Sequence, residues 1–433
     1  MKKDLKTKVV ARKIKKPNPF VMGIVRLVLG FLNRKYKVKF SRDYSPKALK
    51  GKPTILLASH SSRLEFIYMA YGFKRWDINM VCGFQNVLEK GLFRIMLSLG
   101  VISKYLYQPD MLCVKHMLGV LKRNGAIGLF PEGIQSTSGS THPINPATAQ
   151  FIKRSRANVV VATSKGAFLA TNRYSRDRKK GRISIDYTLL FTPEKLETLS
   201  EKQIYDLILE KISYNDFKFN KTARNKYVGK KPNAYGIDKI LYKCSNCDSE
   251  HELFVDNDTI KCKNCGFSVK VNEYYDLVNA NGKCFDDIDE WYKWQRSCVR
   301  KEILSDDFAL SLSGTLSTIR LDKLKKSPKD RVALSVGKAT LTKHGLKFSG
   351  TLNGKDANFE FDAKHVYSLT YSIAKGFLEF YVLNDYFMLV PDDKDKCYIK
   401  WTLASEEIHN LYDEKWRLAC LDVYDTQKEK ENE

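Results

Sequence analysis

The stretch "TILLASHSSRLEF", residues 54–66, runs from an apolar segment, Thr54 to Ala58, into polar residues that set His60 and Glu65 five positions apart. On a regular helix those two positions lie about 140° apart, so their side chains meet only if His60 stands in a loop before the helix carrying Glu65. The stretch therefore reads as strand, loop and helix start. Strand-like runs recur at "AIGLF" (126–130), "VVVATS" (159–164) and "RISIDYTLLF" (182–191), with longer mixed segments between them. That alternation predicts an α/β domain, a mixed sheet with helices. Another polar stretch, "LFPEGIQS" (129–136), places Glu132 72 residues after His60, with a proline and glycine close behind a strand-like run. Both stretches would emerge at strand ends, where such sheets place ligands.

A chain of 433 residues is long enough for two to four domains. Its formal charge is +25, and residues 1–40 hold thirteen basic side chains against one acid. Such a head can bind anionic lipid, nucleic acid or an acidic protein. The adjoining "FVMGIVRLVLGFL" (20–32) is thirteen residues long, contains Arg26 and falls short of the roughly 20 needed to span a bilayer. At helical spacing Gly23, Arg26, Gly30 and Asn33 share one strip, while Phe20, Ile24, Leu27, Val28 and Phe31 cover the opposing face. Flanked by cations, it suits a helix lying in an anionic phospholipid surface; the alternative is a helix docked on the protein's own core. No small-residue cleavage site follows it.

Of ten cysteines, Cys244, Cys247, Cys262 and Cys265 form two C-x2-C pairs fourteen residues apart, and the other six are scattered singly. The pairs predict two tight turns that bring four thiolates onto one structural Zn2+, as in a zinc ribbon. Lys243, Lys261 and Lys263 beside them favour the thiolate forms. Free cysteines and a metal quartet favour a cytoplasmic setting. Trp291 and Trp294 read as a core-facing helix side rather than as base-stacking platforms. From about Phe308 short alternating segments predict roughly seven antiparallel strands closed by a C-terminal helix with Ile408, Leu411, Trp416 and Leu418 to Leu421 as core contacts. This texture resembles a pleckstrin-homology-like barrel.

The sequence has no G-x-S-x-G, Walker or H-E-x-x-H motif. The His60 and Phe130 blocks together resemble the glycerolipid acyltransferases of the lysophosphatidate acyltransferase (PlsC-like) family, whose first block is His-x4-Asp and whose third is Phe-Pro-Glu-Gly-Thr-Arg-Ser. Here they read His60-Ser-Ser-Arg-Leu-Glu65 and Phe130-Pro-Glu-Gly-Ile-Gln-Ser136. "EKGLFRIMLSLGVIS" (89–103) and "VVVATSKGAF" (159–168) stand where the family has its second and fourth blocks. The resemblance implies His60 as general base, Glu65 as orienting acid, and Glu132, Gly133, Ser136 and Ser62 around the acceptor's glycerol phosphate. Four positions depart from the pattern: Glu65 replaces aspartate, Gln135 replaces the arginine credited with gripping phosphate, the second block lacks its arginine, and Val160 replaces proline. Arg63, Arg94 and Lys104 are the candidates to supply the missing cation.

The resulting expectation divides the chain into a basic amphipathic membrane-interface segment (1–44), an acyltransferase domain (45–220), a basic linker (221–240), a zinc ribbon (241–272), a helical connector (273–306) and the barrel-like β domain (307–433). Function would be transfer of an acyl group from acyl-CoA or acyl-carrier protein to a lysophospholipid, 1-acyl-glycerol 3-phosphate foremost, at the cytoplasmic face of the cell membrane, with the protein peripheral or monotopic. The alternatives are a zinc-ribbon nucleic-acid-binding protein, with nucleic acid the less favoured partner, and a catalytically retired acyltransferase serving as a lipid-binding scaffold.

Overall fold

The structure is a computed structural model and describes residues 9–88, 91–106, 108–319 and 331–424. The first eight residues of the basic head and the tail 425–433 lie outside the described residues. Seven strands form the first sheet: β1 (Lys39–Arg42), β2 (Thr54–Ala58), β3 (Ile78–Gly83), β4 (Ile102–Lys104), β5 (Ala126–Leu129), β6 (Asn158–Lys165) and β7 (Ser184–Phe191). Their order is β1-β7-β6-β2-β5-β3-β4. β6, β2, β5, β3 and β4 are parallel neighbours, whereas β7 runs antiparallel to β6 and carries β1 parallel to itself. The sheet is thus mixed, within the α/β layer that the alternation predicts.

β2 lies at its centre and is buried along its whole length. Leu56 and Ala58 pack into one apolar cluster with Tyr68, Met69 and Phe73, while Ile55 and Leu57 pack into another with Ile152, Ile204 and Ile208. A strand covered on both faces needs an unbroken apolar run, which is why "TILLA" shows no alternation. The helices doing the covering include α2 (Glu65–Phe73) and α3 (Glu201–Ile212), the latter started by a Ser200/Gln203 capping box. A further helix, α4 (Asp216–Ala223), follows, so the expected boundary at residue 220 falls inside a helix. Residues 221–240 pack as well, since Tyr227, Ala234 and Ile237 are buried in the main core.

Before the sheet, α1 (Pro19–Tyr36) starts at Asn18, whose side chain accepts the Phe20 and Val21 N–H groups, and stops at Lys37 in a left-handed conformation. It runs longer than its apolar stretch, and it docks by one side on which Leu29 and Asn33 are buried and Val25, Leu32 and Tyr36 pack against the main core. Gly30 abuts Tyr71, Arg26 lies over the Trp76 ring and the Asn33 amide donates to the Leu29 and Ile67 carbonyls. Phe20, Leu27 and Phe31 are 77%, 76% and 67% exposed, and Ile24 and Val28 are exposed beside them. Among the described residues no helix is long and apolar enough to cross a membrane.

The cysteine pairs sit in a four-stranded antiparallel sheet of β8 (Leu253–Asp256), β9 (Thr259–Cys262), β10 (Ser268–Val271) and β11 (Leu277–Val278). Helix α5 (Ile288–Glu302) leaves it, buries Trp291 against Phe267 and donates the Trp291 indole N–H to the Lys243 carbonyl. Trp294 is partly buried beside it, so both tryptophans face core, as their helical spacing implies.

Eight antiparallel strands follow: β12 (Leu310–Ile319), β13 (Arg331–Thr342), β14 (Gly345–Leu352), β15 (Lys355–Asp356), β16 (Phe359–Asp362), β17 (Thr370–Ser372), β18 (Phe377–Val382) and β19 (Asp385–Pro391). The path is β15-β14-β13-β12-β19-β18-β17 with β16 on β14, and among the described residues no pairing joins β17 back to β16. Among the described residues, then, the expected barrel closure is not seen. Among the described residues two helices, not one, follow the strands. α6 (Ile399–Asn410) is buried on every side, and α7 (Glu414–Tyr424) starts afresh where Asp413 accepts the Trp416 N–H. This break turns Leu411 and Leu418 out to solvent and leaves Ile408, Trp416, Ala419 and Cys420 inside, which corrects the expected contact set.

Candidate active site

Parallel pairing of β2 with β5 sets Leu57 opposite Leu129. The His60 and Phe130 blocks therefore leave the sheet side by side. His60 stands in the loop and Glu65 opens α2, the only arrangement in which a spacing of five brings them together. The His60 Nδ1 is hydrogen-bonded to Glu65 Oε1, while Glu65 Oε2 accepts the Ser62 N–H at 2.8 Å and the Ser61 hydroxyl at 3.0 Å. Glu65 is fully buried, so its carboxylate has one orientation. The imidazole stacks on Phe130 with centroids 4.4 Å apart, remains 25% exposed, and leaves Nε2 without a hydrogen bond among the described residues. With Nδ1–H donating to Glu65, Nε2 carries the lone pair that can take a proton.

Glu132 occupies a different place from the one implied for it. Its Oε1 accepts the His60 N–H at 2.6 Å and its Oε2 accepts the His142 N–H at 2.8 Å. It ties the histidine's backbone to the far end of the loop that follows β5. Burial pushes its carboxyl up to about 8, against the pull of those two donors. Ser136 is also inside this loop: its N–H donates to the His60 carbonyl at 2.8 Å and its hydroxyl to the Ser140 carbonyl at 2.7 Å. Gly133 has φ +75 with open space where a side chain would stand. Its conformation favours glycine, and the opening lets another molecule reach the backbone.

The Ser62 hydroxyl is buried without a hydrogen-bond partner among the described residues. Arg63 is exposed three residues beyond His60, its guanidinium 3.5 Å from the Arg176 carbonyl. Arg94 is exposed on the short helix Phe93–Ser98. The Lys104 ammonium donates to the Tyr105 and Gln108 carbonyls within its own loop. β4 lies three strands from β2, or about 14 Å at a spacing near 4.8 Å. Of the three cations only Arg63 is beside His60 and Glu65 in sequence. A fourth, Arg173, donates to the Gln135 carbonyl at 3.1 Å. Sequence reasoning passed it over because nothing local ties residue 173 to 135.

Other site-forming residues are equally remote. Asp216 accepts the N–H groups of Gly166 and Phe168 at 2.9 and 2.8 Å, fixing the turn after β6, and burial raises its carboxyl to about 7. The His142 imidazole meets the Tyr424 hydroxyl at 2.5 Å, and burial holds its pKa well below the usual histidine range.

The four cysteine Sγ atoms lie within 4.8 Å of one another, with Cys244 to Cys265 and Cys247 to Cys262 at 3.9 Å. A tetrahedral ion with Zn–S bonds of about 2.3 Å requires sulfur–sulfur edges of about 3.8 Å, so the quartet fits Zn2+ and leaves no open coordination position. The thiolate-stabilising donors are not the lysines expected from sequence, since Lys243 and Lys261 face Glu250 and Asp256 and Lys263 lies over the Phe254 ring. They are Ser249, 3.0 Å from Cys247 Sγ, and the amides of Asn246 and Asn264, 3.6 Å from Cys265 and Cys247. The Ser249 hydroxyl is the first cause bringing the Cys247 thiol down to about 6.

A zinc-ribbon family model described as "DNA directed RNA polymerase, 7 kDa subunit" matches residues 238–270. No curated protein matches the chain. Among solved structures, the 1-acyl-sn-glycerophosphate (LPA) acyltransferase PlsC from Thermotoga maritima is similar at a TM-score of 0.37 and 13% identity, over 45% of this chain and 78% of that one.

Proposed function

We propose that the protein is an O-acyltransferase that moves an acyl group from a thioester, acyl-CoA or acyl-carrier protein, to the free hydroxyl of a lysophospholipid, with 1-acyl-glycerol 3-phosphate the foremost acceptor. The observation that carries this reading is the buried, three-donor Glu65 carboxylate orienting a solvent-reachable His60 whose Nε2 is free. Nε2 takes the hydroxyl proton as the acceptor oxygen attacks the thioester carbonyl, and Glu65 stabilises the imidazolium that forms. Collapse of the tetrahedral intermediate breaks the C–S bond, and the imidazolium returns the proton to the leaving thiolate. No acyl-enzyme is required. The zinc quartet, closed by four thiolates, serves structure and takes no step.

The exposed apolar side of α1 supports a working place on the anionic, cytoplasmic membrane surface, held there with the basic head. The test is mass spectrometry of purified protein incubated with a panel of lysolipids and acyl donors. Transfer should disappear in His60→Ala, and a variant with wild-type turnover would sink the assignment. The family-model match at 238–270 favours a second reading, nucleic-acid binding by the ribbon. It predicts a steeply salt-dependent gel shift, and the burial of Trp291 removes one of its stacking surfaces.

A further inference from the structure

Asp289 lies in the first turn of α5, fully buried, well outside the sheet that bears His60. Its Oδ1 accepts the hydroxyls of Ser138 and Ser140, both at 2.6 Å, and its Oδ2 meets the Asn215 amide at 2.9 Å and the Lys293 ammonium at 3.0 Å. Ser138 and Ser140 belong to the loop that follows β5. In that loop the Ser140 carbonyl accepts from the Ser136 hydroxyl, and the Ser136 N–H donates to the His60 carbonyl. Three hydrogen bonds therefore connect Asp289 to the backbone of His60. At the loop's far end the Tyr424 hydroxyl holds His142, whose N–H reaches His60 through Glu132. Tyr424 in turn lies under the Arg296 guanidinium at 4.1 Å, on the same helix as Asp289.

We propose that Asp289 is a positioning residue for His60, so that α5, and the ribbon on which Trp291 packs it, belong to the catalytic apparatus. The proposal rests on His60 acting as the base. A buried carboxylate is costly unless its acceptor sites are filled, and here Oδ1 is filled by the loop that frames the histidine and Oδ2 by Asn215 and Lys293. The geometry explains why a loop of small polar residues, "STSGSTH" (136–142), holds one shape: the hydroxyls of Ser138, Ser140 and Thr141 are directed by groups outside it, and that of Ser136 by the loop's own backbone. A displacement of about 1 Å at the reacting nitrogen is enough to lose on the order of 100-fold in rate.

The experiment compares the zinc-loaded full chain with Asp289→Asn and with the double variant S138A/S140A, which keeps the Asp289 contacts to Asn215 and Lys293. Two readouts are taken: kcat and KM with acyl-CoA and 1-acyl-glycerol 3-phosphate, and the downfield proton resonance of His60 Nδ1–H, assigned by its absence in His60→Gln. Both variants should lose about 10- to 100-fold in kcat with KM within about twofold, and the His60 resonance should shift or broaden. Wild-type kcat in the double variant, with only its melting temperature lowered, would overturn the positioning role. So would a lowered kcat with the resonance unmoved. If the wild-type chain transfers no acyl group, the catalytic reading fails separately, and the resonance in S138A/S140A still decides whether Asp289 sets the histidine: moved supports it, unmoved refutes it.

Discussion

Replacing Glu65 with glutamine keeps the shape of the catalytic pair and removes one charge and one acceptor. Glu65 Oε2 receives two donors, the Ser62 N–H and the Ser61 hydroxyl. In the variant those donors select the amide oxygen, which turns the amide NH2 toward His60 Nδ1. Nδ1 must then accept, the proton moves to Nε2, and the base is lost. The opposite orientation restores the working tautomer but sets NH2 against the Ser62 N–H, an unsatisfied buried donor costing about 1–3 kcal/mol. The charge-assisted bond to the imidazolium is lost as well, for about another 1.5–3 kcal/mol. Together these raise the barrier by about 2.5–6 kcal/mol, or roughly 10²- to 10⁴-fold in kcat. Acyl transfer to a lysophospholipid under saturating donor, followed by mass spectrometry of the product, measures it. KM for the acceptor should stay within about twofold. Turnover within tenfold of wild type, or a loss lying entirely in KM, would refute the tautomer argument.

Glu132→Gln must face one of two backbone N–H groups with its own NH2, and urea unfolding should report a loss of about 1–3 kcal/mol. Because the Glu132 carboxyl is raised from 4.5 to about 8 in the folded chain, its protonation favours the native state; that contribution is full below about 4.5 and is lost as pH rises through about 8. Stability measured between those values should fall with pH less steeply in Glu132→Gln, and an unchanged slope would contradict the assigned burial. Cobalt or cadmium exchanged for zinc should rebuild the cysteine site, show the absorbance of a four-thiolate centre and leave kcat within about twofold, since a closed shell offers substrate no position. Changing Leu27 and Phe31 to glutamate should weaken sedimentation with anionic vesicles at least tenfold, by removing two apolar contacts worth about 1.5–3 kcal/mol each, while the melting temperature stays unchanged.

The parts of the site that the sequence made legible are those written within a few residues of one another. An unbroken apolar run names β2, the five-residue spacing places His60 in a loop, and paired cysteines at turn spacing name the metal quartet. What stayed hidden depends on partners far apart along the chain. Asp289 meets Ser138 across 151 residues and Tyr424 meets His142 across 282, and neither residue type signals such a contact. Glu132 was readable as part of a block, but its duty to two backbone amides was not. Strand alternation after Phe308 gives the strands and their faces without saying which edges pair, so an open sheet and a barrel look alike in sequence. The split between α6 and α7 hinges on the single cap at Asp413 inside an otherwise continuous helical pattern.

Three sheets built from separate stretches of chain would ordinarily unfold in separate steps. In this chain Asp289 and Tyr424 anchor the loop beside His60 from outside its sheet, and Arg296, fully buried with Glu406 and Glu407, joins α5 to α6. Opening the first sheet takes the Ser138 and Ser140 donors from the buried Asp289 carboxylate, and loosening α6 strands the Arg296 charge, so each unit's local opening leaves its neighbour with a buried charge short of partners. Calorimetry should therefore record one cooperative transition, and the slowest-exchanging amides should be shared between β2 and α5 rather than confined to one sheet.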